Sequence, residues 1–161
     1  GVALRPPGAE EAALDVTRDA KAFTAAIRTH VFTFLRAWAI GRHAAALDTL
    51  AMLAGDERRA TPEEPLASRA AQEATAWTAE QLTERLAAYR AEHEGPRLDP
   101  EARNVRHTHV EPGASGLTWR VQQVLIDHEL HNDWVAEFEV DFEASRGAQR
   151  PVGRLVRIEA I

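Results

Sequence analysis

The chain has 161 residues, 45% hydrophobic and 27% charged, with 19 Lys and Arg against 25 Asp and Glu for a net charge of -6. That length and apolar fraction suit one domain with its own core. The acidic balance argues against a self-sufficient nucleic-acid binder, which carries a basic face to neutralise phosphates. The absence of Cys excludes disulfides, thiolate metal sites and a cysteine nucleophile. No apolar run reaches the roughly 20 residues that span a bilayer. The opening "GVALRPPGAEEAALD" lacks the basic and apolar segments of a signal peptide. A cytoplasmic chain without a membrane partner is therefore expected. Its first residue, Gly rather than Met, points to processing or to a piece of something longer.

Residues 1–15 read as a tail or linker broken by Pro6, Pro7 and Gly8, and residues 16–161 as one domain. From Thr17, Phe23, Ile27, Val31, Phe34, Leu35 and Trp38 recur at steps of three and four, the stripe of a long amphipathic helix. Gly41 is placed to end it in the left-handed conformation. A short Ala-rich helix is predicted over 43–53, stopped by Gly55. The polar stretch 55–75, with Pro62 and Pro65, reads as a connection. Thr78 and Gln81 have capping-box spacing ahead of a third helix carrying Leu82, Leu86 and Tyr89.

After Asp99 and Pro100 the period changes to that of strands. "NVRHTHVEP" is expected as the first and "LTWRVQQVLID" as the second, with Trp119, Val121 and Gln123 inward and a bulge where Val124 and Ile126 break the alternation. "WVAEFEVDF" alternates cleanly: Trp134, Ala136, Phe138, Val140 and Phe142 on a buried face, Glu137, Glu139 and Asp141 on a wet one. "EASRGAQRP" reads as a turn and "VGRLVRIEAI" as the closing strand. The expected fold class is α+β: three N-terminal helices packed on a curved, four-stranded antiparallel sheet.

Chemistry-bearing patterns are sparse. There is no Gly-rich phosphate loop, no G-x-S-x-G and no H-E-x-x-H. The inward face of the third strand holds no ionisable group, and with Trp119 of the second strand two Trp and two Phe are directed at one small interior, which implies a plugged cone rather than an acid–base pocket. His30, His43 and Tyr89 are the candidates for a pocket mouth. His107 and His109 share a strand face, and His128 and His131 occupy a later turn, but no recognised ligand spacing joins them and no metal site is assigned. Arg106, Arg120, Arg154 and Arg157, with Arg146 and Arg150 nearby, are the candidates for a local basic patch, set against the plainer reading of Arg balancing Glu on a wet sheet face.

The corner "FLRAWAIGRHAAALDTLA" (34–51) resembles the start of nuclear-transport-factor-2-like domains, which implies a cone closed at its wide end by a long helix, a Gly corner and a short helix. A second resemblance covers most of residues 18–158. Trp119, Val121, Gln123 and Leu125, then Asp133-Trp134, then Val140-Asp141 with Ala144-Ser145, resemble the C-terminal uncharacterised domain of bacterial DEAD/DEAH-box helicases. That resemblance implies an accessory, non-catalytic segment with no cofactor of its own. ATP and Mg would belong to motor domains in the same chain, which would be its partners, with nucleic acid reached through the parent. The alternatives are a free-standing cone-fold small-ligand-binding protein or isomerase/dehydratase-like enzyme, and a homodimer that pairs through the outer sheet face.

Overall fold

The computed structural model describes residues 17–55, 76–113 and 116–161. The expected tail (1–15) and nearly all of the connection (55–75) lie outside the described residues. In chain order come α1 (Ala20–Ala39), α2 (His43–Leu53), α3 (Ala79–Glu92), a 3-10 turn (Val105–His107), β1 (Thr108–Pro112), β2 (Thr118–Leu125), β3 (Trp134–Asp141), α4 (Phe142–Ala148) and β4 (Gly153–Ala160). The strands form one antiparallel meander in the order β1-β2-β3-β4.

α1 starts where the Asp19 carboxylate accepts the Ala22 N–H, satisfying one orphan donor of the first turn. It ends in a Schellman arrangement: Gly41 N–H donates to Trp38 O and Arg42 N–H to Ala37 O, with Gly41 at φ +80. The chain then re-enters helix at once, and α2 packs back on α1. α3 begins in the predicted capping box, with both the Thr78 and the Gln81 side-chain bonds formed.

The α1 stripe makes the core. Phe23, Ile27, Val31, Phe34, Leu35 and Trp38 are all buried against Val121, Leu125, Trp134, Phe138 and Val140 of the sheet and Leu82, Leu86 and Tyr89 of α3. Phe34 meets Phe138 edge-on, ring centroids 6.0 Å apart, while Phe23 packs on Trp119 at 5.4 Å. Two indole N–H groups lock helix to helix and the segment leading into α3 to the sheet: Trp38 donates to Leu82 O at 3.0 Å and Trp77 to Leu155 O at 2.9 Å.

Four expectations need correction. The stretch read as a turn after β3 holds a fourth helix, α4. Asp141 ends β3 and caps α4 by accepting the Ala144 N–H, and Ser145 Oγ fastens it by donating to Asp141 O and accepting from Val152 N. Phe142 is therefore the first residue of α4 rather than the last of the strand, half-buried against Phe23 and Trp119. β2 carries no bulge: Val121, Gln123 and Leu125 stay inward in unbroken register with β3. The irregularity falls instead between β3 and β4, at Glu137/Phe138. Finally, the outer face of β3 is only partly wet, since Val135 and Glu137 are buried between their neighbours.

Trp134 is 4% exposed and donates its indole N–H to Glu92 Oε2 at 2.7 Å. Trp134→Ala is expected to cost about 3–5 kcal/mol of unfolding free energy, read from the denaturant midpoint. An unchanged midpoint would contradict this packing.

A buried histidine–carboxylate corner as the candidate functional site

The polar groups with unusual surroundings gather where the C-terminus of α3 meets the β2–β3 loop. His93 caps α3, its N–H donating to Tyr89 O, so its ring turns inward behind Tyr89 (centroids 5.2 Å apart). Tyr89 is fully buried between Trp38 and Trp134.

The β2–β3 loop is organised by Asp127. Buried to 1% exposure, its carboxylate accepts N–H groups from Glu129 (2.9 Å), His131 (3.1 Å) and Asn132 (2.8 Å). This closes a tight loop in which Leu130 and Asn132 both take positive φ, a conformation that costs side-chain-bearing residues energy unless the surroundings hold them there. Burial alone would raise the Asp127 pKa, but the N–H donors and the nearby His93 ring outweigh it and hold it below the ordinary carboxylate range.

His93 faces both acids of this loop. Its Nε2 bonds Asp133 Oδ1 at 2.8 Å, and its Nδ1 lies 4.0 Å from Asp127 Oδ1. Burial works against the charged ring, yet the Asp133 hydrogen bond and the charges of Asp127, Asp133 and Glu129 prevail and raise its pKa. The Tyr89 hydroxyl is driven the other way from reactivity: burial first, then Asp127 and Asp133, push its pKa well above that of an ordinary phenol. His131 lies beside His93 with ring centroids 5.7 Å apart and the planes tilted by 56°. His93, His131 and Asp133 each bring one ligand-type atom within 4.8 Å of the others.

Of the pocket candidates, Tyr89 belongs to this corner. His30 and His43 sit on other helices in other surroundings. Burial and the Arg150 guanidinium lower the His30 pKa, and His43 keeps a buried Nδ1 without a hydrogen-bond partner. Of the histidines weighed for metal binding, only His131 joins the corner. His107 is on the 3-10 turn beside Glu101 and His109 on β1. Sequence reasoning missed His93, Asp127 and Asp133 as a set, because 34 positions of chain separate His93 from Asp127. A legible hint was the run "DHELHND", dense in groups that bond their own backbone.

The candidate basic patch is neutralised. Arg120 and Arg157 flank Glu137 at 3.8 and 3.4 Å, Arg154 faces Glu139 at 3.6 Å, and Arg106 pairs with Glu101. Cross-strand register puts Arg120 opposite Glu139 and Glu137 opposite Arg157, so opposite charges alternate across the outer face. A cleft of about 580 Å³ opens elsewhere, between Leu47 and Leu50 of α2, Trp77, and Val152 and Leu155 near β4. Among the described residues, no helix is long and apolar enough to cross a membrane.

Comparison with protein families places residues 3–158 in a domain of unknown function, DUF3516. The chain belongs to this family. No curated protein and no solved structure matches it. The match covers all four helices, β1 to β3 and β4 as far as Ile158, the histidine–carboxylate corner included.

Two measurements probe this geometry. Asp127→Ala strands three loop N–H groups and is expected to lower stability by about 3 kcal/mol; a loss under about 1 kcal/mol would mean that the loop is held by something else. For His30, whose folded pKa lies below the ordinary 6.5, the unfolded chain binds the proton better. Its contribution is full above pH 6.5 and is lost as pH falls through the lowered folded value. Unfolding free energy should therefore drop on acidification across that window, and His30→Asn should flatten the drop.

Proposed function

We propose that this DUF3516 domain is a non-catalytic accessory unit at the C-terminal end of an ATP-dependent DEAD/DEAH-box helicase, where it braces the motor domains or docks nucleic acid or a protein partner. One observation supports this reading above others: apart from Asp133, which faces His93, the residues named for the resemblance serve mostly as scaffolding. Val121, Gln123, Leu125, Trp134 and Val140 are buried, Trp119 packs on Phe23 and Phe142, and Asp141 and Ser145 cap and fasten α4. A pattern consumed by packing and capping fits a brace better than a reaction centre. The alternating charges of the outer sheet face favour a protein contact over a phosphate track. In this reading ATP and Mg act on the motor domains of the parent, in the cytoplasm.

A second reading, a nuclear-transport-factor-2-like cone that binds a small ligand or acts as an isomerase or dehydratase, draws on the buried Tyr89, His93 and Asp127. The Tyr89 pKa, pushed far from neutrality, counts against the phenol as a proton donor.

Immunoblotting of cell lysate with an antibody to this domain separates the readings. A band far above 17.8 kDa is expected. In the parent, deleting the domain should then lower nucleic-acid-stimulated ATP hydrolysis while nucleotide binding persists. A band at 17.8 kDa, or a deletion that leaves ATP hydrolysis unchanged, would overturn the helicase reading.

A further inference from the structure

We propose that His93, His131 and Asp133 form a site for a divalent transition ion, with Asp127 as the outer partner that orients His93. The first support is the ligand set. Two imidazoles and one carboxylate within 4.8 Å of one another suit zinc and its first-row neighbours and disfavour Mg or Ca, which take oxygen donors.

The second support is the state of His93. Its side chain is 3% exposed, and with Nε2 bonded to Asp133 its buried Nδ1 is left without a hydrogen-bond partner while facing the Asp127 carboxylate. A neutral ring that donates from Nε2 would turn a lone pair toward that carboxylate. An ion on Nε2 reverses the arrangement: the proton moves to Nδ1 and points at Asp127, the carboxylate–histidine–metal relay that raises ligand basicity and fixes ring orientation. For a neutral ring the proton that leaves Nε2 is the one taken up at Nδ1, so none is released, whereas a charged ring keeps its Nδ1 proton and gives its Nε2 proton to solvent as the ion enters.

Third, three of the four buried polar atoms without a partner among the described residues, Tyr89 Oη, His93 Nδ1 and Asn132 Oδ1, belong to residues of this corner. Buried polar groups are nearly always satisfied, so their concentration here marks a place built around a further polar group.

The distances ask for little movement. Ligand atoms around a tetrahedral zinc stand about 3.3 Å apart, given bonds near 2.0–2.1 Å. His93 Nε2 and Asp133 Oδ1, now at 2.8 Å, separate slightly, and His131 closes in. Asp133 and His131 are about half exposed on the loop, Asp133 bonded to His93 and His131 Nδ1 3.6 Å from Glu129, whereas His93 is held by α3. Three protein ligands leave a fourth position for water, the open arrangement of a zinc site rather than a closed structural one.

The test is calorimetric titration of the chelator-stripped chain with zinc chloride, joined to elemental analysis of the purified protein. One equivalent should bind per chain. His131→Ala and Asp133→Ala should each weaken binding by more than about tenfold, because even outer-shell partners are worth about 10–100-fold. His131→Ala, an exposed position, should keep the wild-type denaturation midpoint in chelator, whereas Asp133→Ala, which strips buried His93 of its hydrogen bond, should lower it. Removing His107 and His109 together should leave the affinity unchanged. The proposal is overturned if no saturable binding occurs, if both ligand variants bind as the wild type does, or if binding depends on His107 and His109 instead.

Discussion

The burial of one helix stripe is the constraint on which the rest depends. α1 presents Phe23, Ile27, Val31, Phe34, Leu35 and Trp38 along a single line, and each is removed from water by the sheet or by α3. Burying a large apolar side chain is worth about 1.5–3 kcal/mol, so this stripe is the main driving term for assembling the elements around it. The Gly41 corner follows from it: the chain must reverse where the stripe ends, and only a left-handed residue lets α2 fold back without a gap in capping. α3 then closes the far end through Trp38, Tyr89 and Trp134, whose rings meet edge-on.

Against that apolar background the polar interior is concentrated and organised. Gln123, fully buried on β2, is reached by the Thr108 hydroxyl, which in turn accepts from Arg28 of α1. Glu137 survives burial because Gln122, Arg120 and Arg157 surround it, the pairing a buried carboxylate needs. Among the described residues satisfaction falls short at His43 Nδ1 and, together in one corner, at Tyr89 Oη, His93 Nδ1 and Asn132 Oδ1, beside a loop that two left-handed residues hold in shape. Local departures of this kind are where a fold trades stability for function, and they set the corner apart from the well-matched charges of the outer sheet face.

Much of the architecture follows from short-range pattern. The 3.6-residue period of α1, the capping box of α3, the inward Trp134, Ala136, Phe138 and Val140 of β3 and the glycine at the α1–α2 corner are each set by backbone geometry within a few residues, and each is found where the sequence places it. α4 escaped because seven residues carry too little period to outweigh Gly147 and the neighbouring Pro151, and because the Asp141 cap continues a strand's alternation. Burial of Glu137 was equally hidden, since alternation assigns a face but not the neighbours that cover it.

The sequence by itself determined the α+β class, the inward faces of α1 and β3, and the absence of any thiol chemistry, because these depend on residue type and local periodicity. Tertiary structure alone decided that His93 meets Asp127, Asp133 and His131, and that each candidate basic side chain has a carboxylate at hand. Most of these contacts join positions far apart in the chain. The histidine contacts are fixed by how α3 docks on the sheet, and the Arg–Glu pairs of the sheet by strand register, which no local pattern encodes.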